Sequence, residues 1–223
     1  MKKIVFISLL FILIGSLNSF SQEIDGNSLS NVYQDEGVSA SELHSKLNFV
    51  ISNIYNSAND VIQMNDTESK KIVIRARADI PLPNHLAFFY PNNKLLSAPE
   101  LYEHDYTLNI ECRDGRYRME IKYNQGRKFV NASAYYSGGY QDYIYTTNMT
   151  PSDEYIKSLR PIWSNTLESG TYMLIGKKRK VAFLDGIPNQ VNEYAEILKK
   201  YSLSLFERID KEVKNTSTKK DDW

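Results

Sequence analysis

The chain has 223 residues, 42% of them hydrophobic, with 27 basic and 27 acidic side chains and a single cysteine. That length supports one good-sized domain, or one domain with a helical appendage. The charge balance excludes a global field that would draw the protein to nucleic acid or anionic lipid, and one cysteine excludes an internal disulfide, so stability must come from the core.

Residues 1–21 read as an export signal. Lys2 and Lys3 supply a positive n-region, Ile4 to Ile14 an apolar run broken only by Ser8, and Ser19-Phe20-Ser21 a small-x-small cleavage site before Gln22. The run is shorter than the roughly 18–20 residues a spanning helix needs, so no transmembrane segment is expected after cleavage. No cysteine lies near the cleavage point, which argues against a lipid anchor. Cleavage removes two lysines and no acid, leaving 25 basic against 27 acidic residues, a net charge of −2, on a mature chain in the periplasm or outside the cell.

The next segment predicts a strand at Ser28 to Gln34, closed by Glu36-Gly37. Ser39-Ala40-Ser41-Glu42 reads as a capping box, and Leu43, Leu47, Val50, Ile51 and Ile54 form one helical stripe, so 40–56 is a packed helix. His44 lies beside that stripe and is expected on the helix surface. Val61 to Met64 reads as a short strand. Over 70–80, Ile72, Ile74, Ala76, Ala78 and Ile80 alternate against Val73, Arg75, Arg77 and Asp79, a half-buried strand stopped by Pro81 and Pro83. Residues 81–103 read as a loop insertion. Tyr106, Leu108, Ile110 and Cys112 alternate before Asp114-Gly115, and Tyr117, Met119, Ile121 and Tyr123 after it, the pattern of a hairpin. That register buries Cys112.

Residues 126–188 read as a Tyr-rich extension. Its expected elements are a helix over 153–167 interrupted at Pro161, then two short strands, Thr171 to Ile175 and Lys180 to Leu184, turned by the basic run 177–180. Pro188 then precedes a C-terminal helix, 189–215, with apolar positions Val191, Tyr194, Ala195, Leu198, Tyr201, Leu205, Ile209 and Val213. Residues 216–223 form a charged tail. Tyr is the compositional outlier, 16 against 9 Phe and 2 Trp. A ring with a polar tip suits half-buried strands and binding surfaces alike.

From Val32 to Tyr123 the residue order is familiar. Ser41-Glu42-Leu43, then Ser57-Ala58-Asn59-Asp60-Val61-Ile62-Gln63, Asp66, Glu68 and Lys71-Ile72-Val73, and lastly Tyr106 to Glu111 with Asp114-Gly115-Arg116-Tyr117-Arg118, resemble a family of bacterial exported domains of unknown function with a TATA-binding-protein-like fold. The resemblance implies an α+β domain over 22–125, a helix packed on a curved antiparallel sheet, followed by a later helix. No activity, cofactor or site residue comes with it. Arg75 and Arg77 stand where relatives tend to have Lys and Gly.

Candidate sites are sparse. No nucleophile turn accompanies the serines. Glu103-His104-Asp105 with His85 offers metal donors, but neighbours in a strand point to opposite faces. Asp66 and Glu68 form a carboxylate pair that turn chemistry explains equally. Two binding candidates stand out. Arg75 and Arg77 share one strand face, and Arg116 and Arg118 one hairpin face. If those strands pair, four guanidiniums gather to meet a carboxylate, phosphate or anionic glycan, unless Asp79, Glu111, Glu120 and Lys122 interleave as ion pairs. Tyr135, Tyr136, Tyr140 and Tyr143 around Gly138-Gly139 form the other. The leading reading is a non-catalytic, cofactor-free binding domain of the cell envelope, with an envelope protein, peptide or glycan as partner and no nucleic acid. The alternatives are an envelope hydrolase using carboxylates, and a structural subunit assembling through the C-terminal helix.

Overall fold

A computed structural model describes residues 22–55, 58–84, 87, 89–90, 92–94, 98–130, 139–142, 147–168 and 170–218. Residues 1–21, His85, Tyr135, Tyr136, Tyr143 and the last five residues lie outside them. The elements run β1 (Glu23–Asp25), β2 (Ser28–Gln34), α1 (Ala40–Ile54), the single turn α2 (Ala58–Val61), β3 (Ile62–Asp66), β4 (Lys71–Leu82), β5 (Glu100–Arg113), β6 (Arg116–Val130), β7 (Gly139–Asp142), α3 (Asp153–Leu167), a 3-10 turn (Gly170–Leu174) and α4 (Lys177–Thr218). Among the described residues the strands form one seven-stranded antiparallel sheet, ordered β1-β2-β6-β5-β4-β3, with β7 paired to β6.

Local chemistry sets the joints. The Ser39 hydroxyl accepts the Glu42 N–H at 3.2 Å and starts α1. Gly115, at φ +72°, makes the two-residue β5–β6 turn in a conformation that L side chains avoid. The turn residue Asp114 accepts the Ala40 N–H at 2.8 Å, which ties the hairpin tip to the start of α1.

One sheet face is covered. Ile72, Ile74, Ile80 and Leu82 of β4, Leu108 and Ile110 of β5, and Met119 and Ile121 of β6 meet Leu43, Leu47, Val50 and Ile51 of α1. Phe206, Ile209 and Val213 of α4 close the same core. Four buried tyrosines, Tyr102, Tyr106, Tyr117 and Tyr123, stand on this face, so much of the Tyr excess is structural. Three of the hydroxyls act as struts to the helical layer. Tyr106 pairs with Tyr55 at 2.9 Å, Tyr123 with Ser202 at 3.1 Å, and Tyr117 donates to Asp210 at 2.7 Å. Burial pushes all three phenols above their ordinary pKa. Cys112 is buried on the same face, as its register required, and burial pushes its thiol up to about 12.

Several elements differ from expectation. The Val61–Met64 strand begins one residue later, because Val61 closes the turn of α2. Pro81 lies inside β4. Among the described residues β3 covers β4 only as far as Ile74, so at Pro81 β4 has β5 alone as partner and loses at most one ladder bond. The segment 81–103 is therefore mostly sheet at its two ends, and β6 runs past 125 to Val130. His44 is buried rather than on the surface.

The largest difference is C-terminal. The expected strands at 171–175 and 180–184 and the hairpin turn at 177–180 are a 3-10 turn and the first turns of α4. Phe183, Ile187 and Val191, four residues apart, extend the α4 stripe N-terminally through Pro188. They pack with Phe89, Leu159, Leu167 and Ile175 in a second core, where Trp163 meets Phe183 edge-on. α3 likewise runs unbroken through Pro161. Pro188 cannot donate to the Leu184 carbonyl, and the Arg160 guanidinium fills that vacancy at 3.1 Å from α3. α4 thus spans 42 residues, about 63 Å, with one half in each core. Its C-terminal apolar stripe is spent on its own chain.

Candidate functional site: the open face of the sheet

The other sheet face meets solvent. Arg75, Arg77 and Asp79 of β4, Glu103, Asp105, Thr107 and Glu111 of β5, and Arg116, Arg118, Lys122 and Asn124 of β6 lie on it, half-buried or exposed. Asp105 opposes Gln125 while Tyr106 opposes Tyr123, so Asn124 is an extra residue on β6, a bulge. The bulge sets two carboxamides, Asn124 and Gln125, side by side on the open face. Asn124 donates to the Thr107 hydroxyl at 3.0 Å.

An open groove of about 820 Å³ crosses the sheet at this level, lined by Arg75, Arg77, Asp105, Asn124, Gln125 and Thr147, with Val61 and Ala76 at the β4 edge. Its volume falls in the range of small-molecule and cofactor sites. Arg77 is tied down: its Nε lies 2.8 Å from Asp105 and its Nη1 3.4 Å from Glu103. Arg127 completes the ring, with Nε 3.0 Å from Glu103 and Nη2 3.9 Å from Asp105. Two guanidiniums and two carboxylates neutralise one another there. Arg75 makes no ion pair among the described residues, so it is the cation the groove offers a ligand.

The four candidate arginines do not gather. β4 and β6 are separated by β5, which removes the pairing that the gathering required. Arg116 and Arg118 lie near the hairpin tip, beside a separate concavity of about 240 Å³ that Arg113 and Glu111 also line. Asp105 and Glu111 on β5 set the two ends about 20 Å apart at 3.4 Å per residue. A third hollow of about 260 Å³ lies between Lys71, Asn109, Arg118 and Glu120. Of the four residues expected to interleave as ion pairs, Glu111 pairs across the strands with Lys71 at 2.7 Å, whereas Glu120 accepts from the Ser28 hydroxyl at 3.1 Å instead of meeting a cation.

His104 is wholly buried, its Nδ1 3.0 Å from the Tyr102 carbonyl and its ring edge-on to Tyr123, whereas Glu103 and Asp105 face outward. The three belong to β5 rather than to a loop, and the opposite-face rule separates them as metal donors. Among the described residues no group of His, Cys, Asp or Glu is arranged to hold a metal ion. Asp66 accepts the Glu68 and Ser69 N–H groups at 2.8 and 3.0 Å and the Ser69 hydroxyl at 2.6 Å, bonds that hold its pKa below the usual range, so it is a turn cap. Of the tyrosine candidates, Tyr140 alone is described, in β7 opposite Phe129. Sequence reasoning passed over Asn124, Gln125 and Thr147. The available signal was Gly126, a glycine inside a strand pattern and so a bulge marker.

A strand, a helix and then a run of antiparallel strands curved over that helix define the class: an α+β domain of TBP-like architecture. Residues 30–124 match the family described as "Domain of unknown function (DUF4468) with TBP-like fold". No curated protein matches the chain. It is similar to a solved TBP-like protein from Parabacteroides distasonis ATCC 8503, at 13% identity and TM-score 0.43 over 82% of this chain and 92% of that one. A solved DUF4468 family protein from Bacteroides ovatus ATCC 8483 is similar at 11% identity and TM-score 0.44, over 86% and 91%.

Proposed function

We propose that this is an exported, non-catalytic binding domain whose ligand lies in the groove across the open sheet face. The observation that carries the reading is the lining. One uncommitted guanidinium, Arg75, stands beside two carboxamides and a hydroxyl, groups that recognise an acidic, hydrogen-bonding ligand. An acidic peptide or glycan of the cell envelope is the ligand class proposed.

The test is fluorescence anisotropy with a labelled hexaglutamate peptide and a labelled oligogalacturonate. Binding of either, weakened about tenfold or more in Arg75→Ala and in Asn124→Ala, is expected for a lost charge-assisted bond. Neither probe binding, or unchanged affinity in both variants, refutes the reading. New reducing ends or peptide fragments would establish the hydrolase alternative instead. A fourfold Tyr→Ser variant at 135, 136, 140 and 143 that keeps full affinity would remove the Tyr-rich segment from the site. Export rests on the sequence of residues 1–21, and N-terminal sequencing of the protein from cell fractions tests it. An envelope or secreted species beginning at Gln22 is expected, and an uncleaved cytosolic chain would overturn it.

A further inference from the structure

The tip of the β5–β6 hairpin is electrostatically odd. Arg113 and Arg116 stand directly opposite each other across the strands, an arrangement of like charges that is destabilising. Arg118 lies two residues on, on the same face, and all three line the concavity of about 240 Å³ with Val32 and Glu111. The nearby acids leave Arg113 and Arg116 unpaired. Asp114 turns away to cap α1 through Ala40. Glu111 is bound by Lys71 at 2.7 Å, and that bond, ahead of the arginines, holds its carboxyl below the usual range. Glu23 is 3.8 Å from Arg118 and mostly exposed. Among the described residues neither Arg113 nor Arg116 is in an ion pair. Arg118 is oriented, because its Nη2 donates to the Ser30 hydroxyl at 3.1 Å and Ser30 is itself buried.

We infer that Arg113, Arg116 and Arg118 form an oxyanion site for a tetrahedral oxyanion, a phosphate monoester or sulfate ester. Guanidinium forks pair two N–H groups with two oxygens of such a group, and the hollow has room for that headgroup with its nearest substituent. Binding would also relieve the Arg113–Arg116 repulsion. The site lies about 20 Å from the groove along β5 and does not depend on the groove's ligand.

The experiment is calorimetric titration and thermal melting of the purified protein with inorganic phosphate, sulfate and methyl phosphate, at constant ionic strength held with chloride. Saturable binding and a rise in Tm beyond the chloride control are expected, as for any ligand that binds only the folded state. Arg116→Gln and Arg113→Gln should each weaken binding at least tenfold. Each should also melt higher than the parent in chloride alone, since the repulsion is gone. A methyl phosphate affinity equal to that of phosphate places an ester in the site, and one at least tenfold weaker overturns the ester assignment. Melting that follows ionic strength alone, or unchanged phosphate binding in both variants, overturns the proposal. Arg75→Ala should leave phosphate binding intact, which separates failure of this site from failure of the groove.

Discussion

Removing Arg160 tests how α4 tolerates a proline at its middle. Its Nη1 donates to the Leu184 carbonyl at 3.1 Å, the acceptor that Pro188 leaves vacant, and its Nη2 meets Asp185 at 2.9 Å. The ion pair is half-exposed on both sides, so it contributes roughly 0–0.5 kcal/mol. The bond to the carbonyl, discounted for that exposure, contributes about 1 kcal/mol. Arg160→Ala should therefore cost about 1–1.5 kcal/mol, and Asp185→Ala much less.

The decisive measurement is the double-mutant cycle with Pro188→Ala. Alanine restores an N–H at 188, which bonds Leu184 within the helix, and the single change should stabilise by up to about 3 kcal/mol. With the carbonyl already satisfied, Arg160→Ala should cost about 1 kcal/mol less than in the parent. Urea unfolding followed by Trp163 fluorescence reads the core concerned, because Trp163 packs on Phe183 there. A Trp223→Phe background removes the second tryptophan. At an m-value of about 2 kcal/mol/M the coupling is a midpoint difference of about 0.5 M. A coupling below about 0.3 kcal/mol would refute the assignment and leave the proline unexplained.

Three further outcomes follow from the packing and the charges. Cys112, buried with its thiol pushed up to about 12, should resist iodoacetamide in the native protein and react once it is unfolded; rapid native labelling would contradict its placement. Phe206→Ala and Phe183→Ala should each cost roughly 3–5 kcal/mol but in different cores, so hydrogen exchange should rise in the sheet and α1 for the first and in α3 for the second; identical exchange maps would refute two cores. Asp66 and Glu111 have folded pKa values below their unfolded ones, so their stabilisation is present above the ordinary carboxylate range and fades as pH falls below about 4.5. Asp66→Asn and Glu111→Gln should flatten the fall in Tm between pH 6 and 2.5, and unchanged slopes would remove them as its cause.

The sheet and first helix were readable because their signals are local. Alternation from Ile72 to Ile80, Asp-Gly at 114–115 and the Ser39 cap each operate within a few residues. The C-terminal third was misread where distant groups supply what the local sequence lacks. Pro188 reads as a helix start unless Arg160, 28 residues earlier, is known to fill its vacant carbonyl. Lys177 to Lys180 crowd cations at the positive end of α4, where the helix dipole disfavours them. Two of them are offset from outside: Arg179 lies over the Tyr90 ring at 5.4 Å, and Lys180 pairs with Glu168 at 3.4 Å. The arginine candidates were placed on the correct face but in the wrong company, because strand order depends on which hairpins pair. Periodicity carries no information on that.

The bulge at Asn124 joins fold to site, and a deletion separates the two. Tyr123 faces the core opposite Tyr106, and after the extra residue Gln125 opposes Asp105, Gly126 opposes buried His104, and Arg127 opposes Glu103. Removing Asn124 puts Gln125 directly after Tyr123, so every later side chain keeps its face and its partner. The core should survive, with a loss of about 1 kcal/mol for the Asn124–Thr107 bond, while the groove loses a carboxamide and the local bend that opens it. Deleting Lys122 instead changes the parity of the strand. It would turn one flank of β6 inside out, carrying either Ile121 and Met119 or Tyr123 out of the core, and should abolish folding. A cooperative melt for the Asn124 deletion with about tenfold or greater loss of the acidic probe, beside an unfolded Lys122 deletion, is the expected pair of results. Full probe affinity in the folded Asn124 deletion would mean that the groove does not hold the ligand.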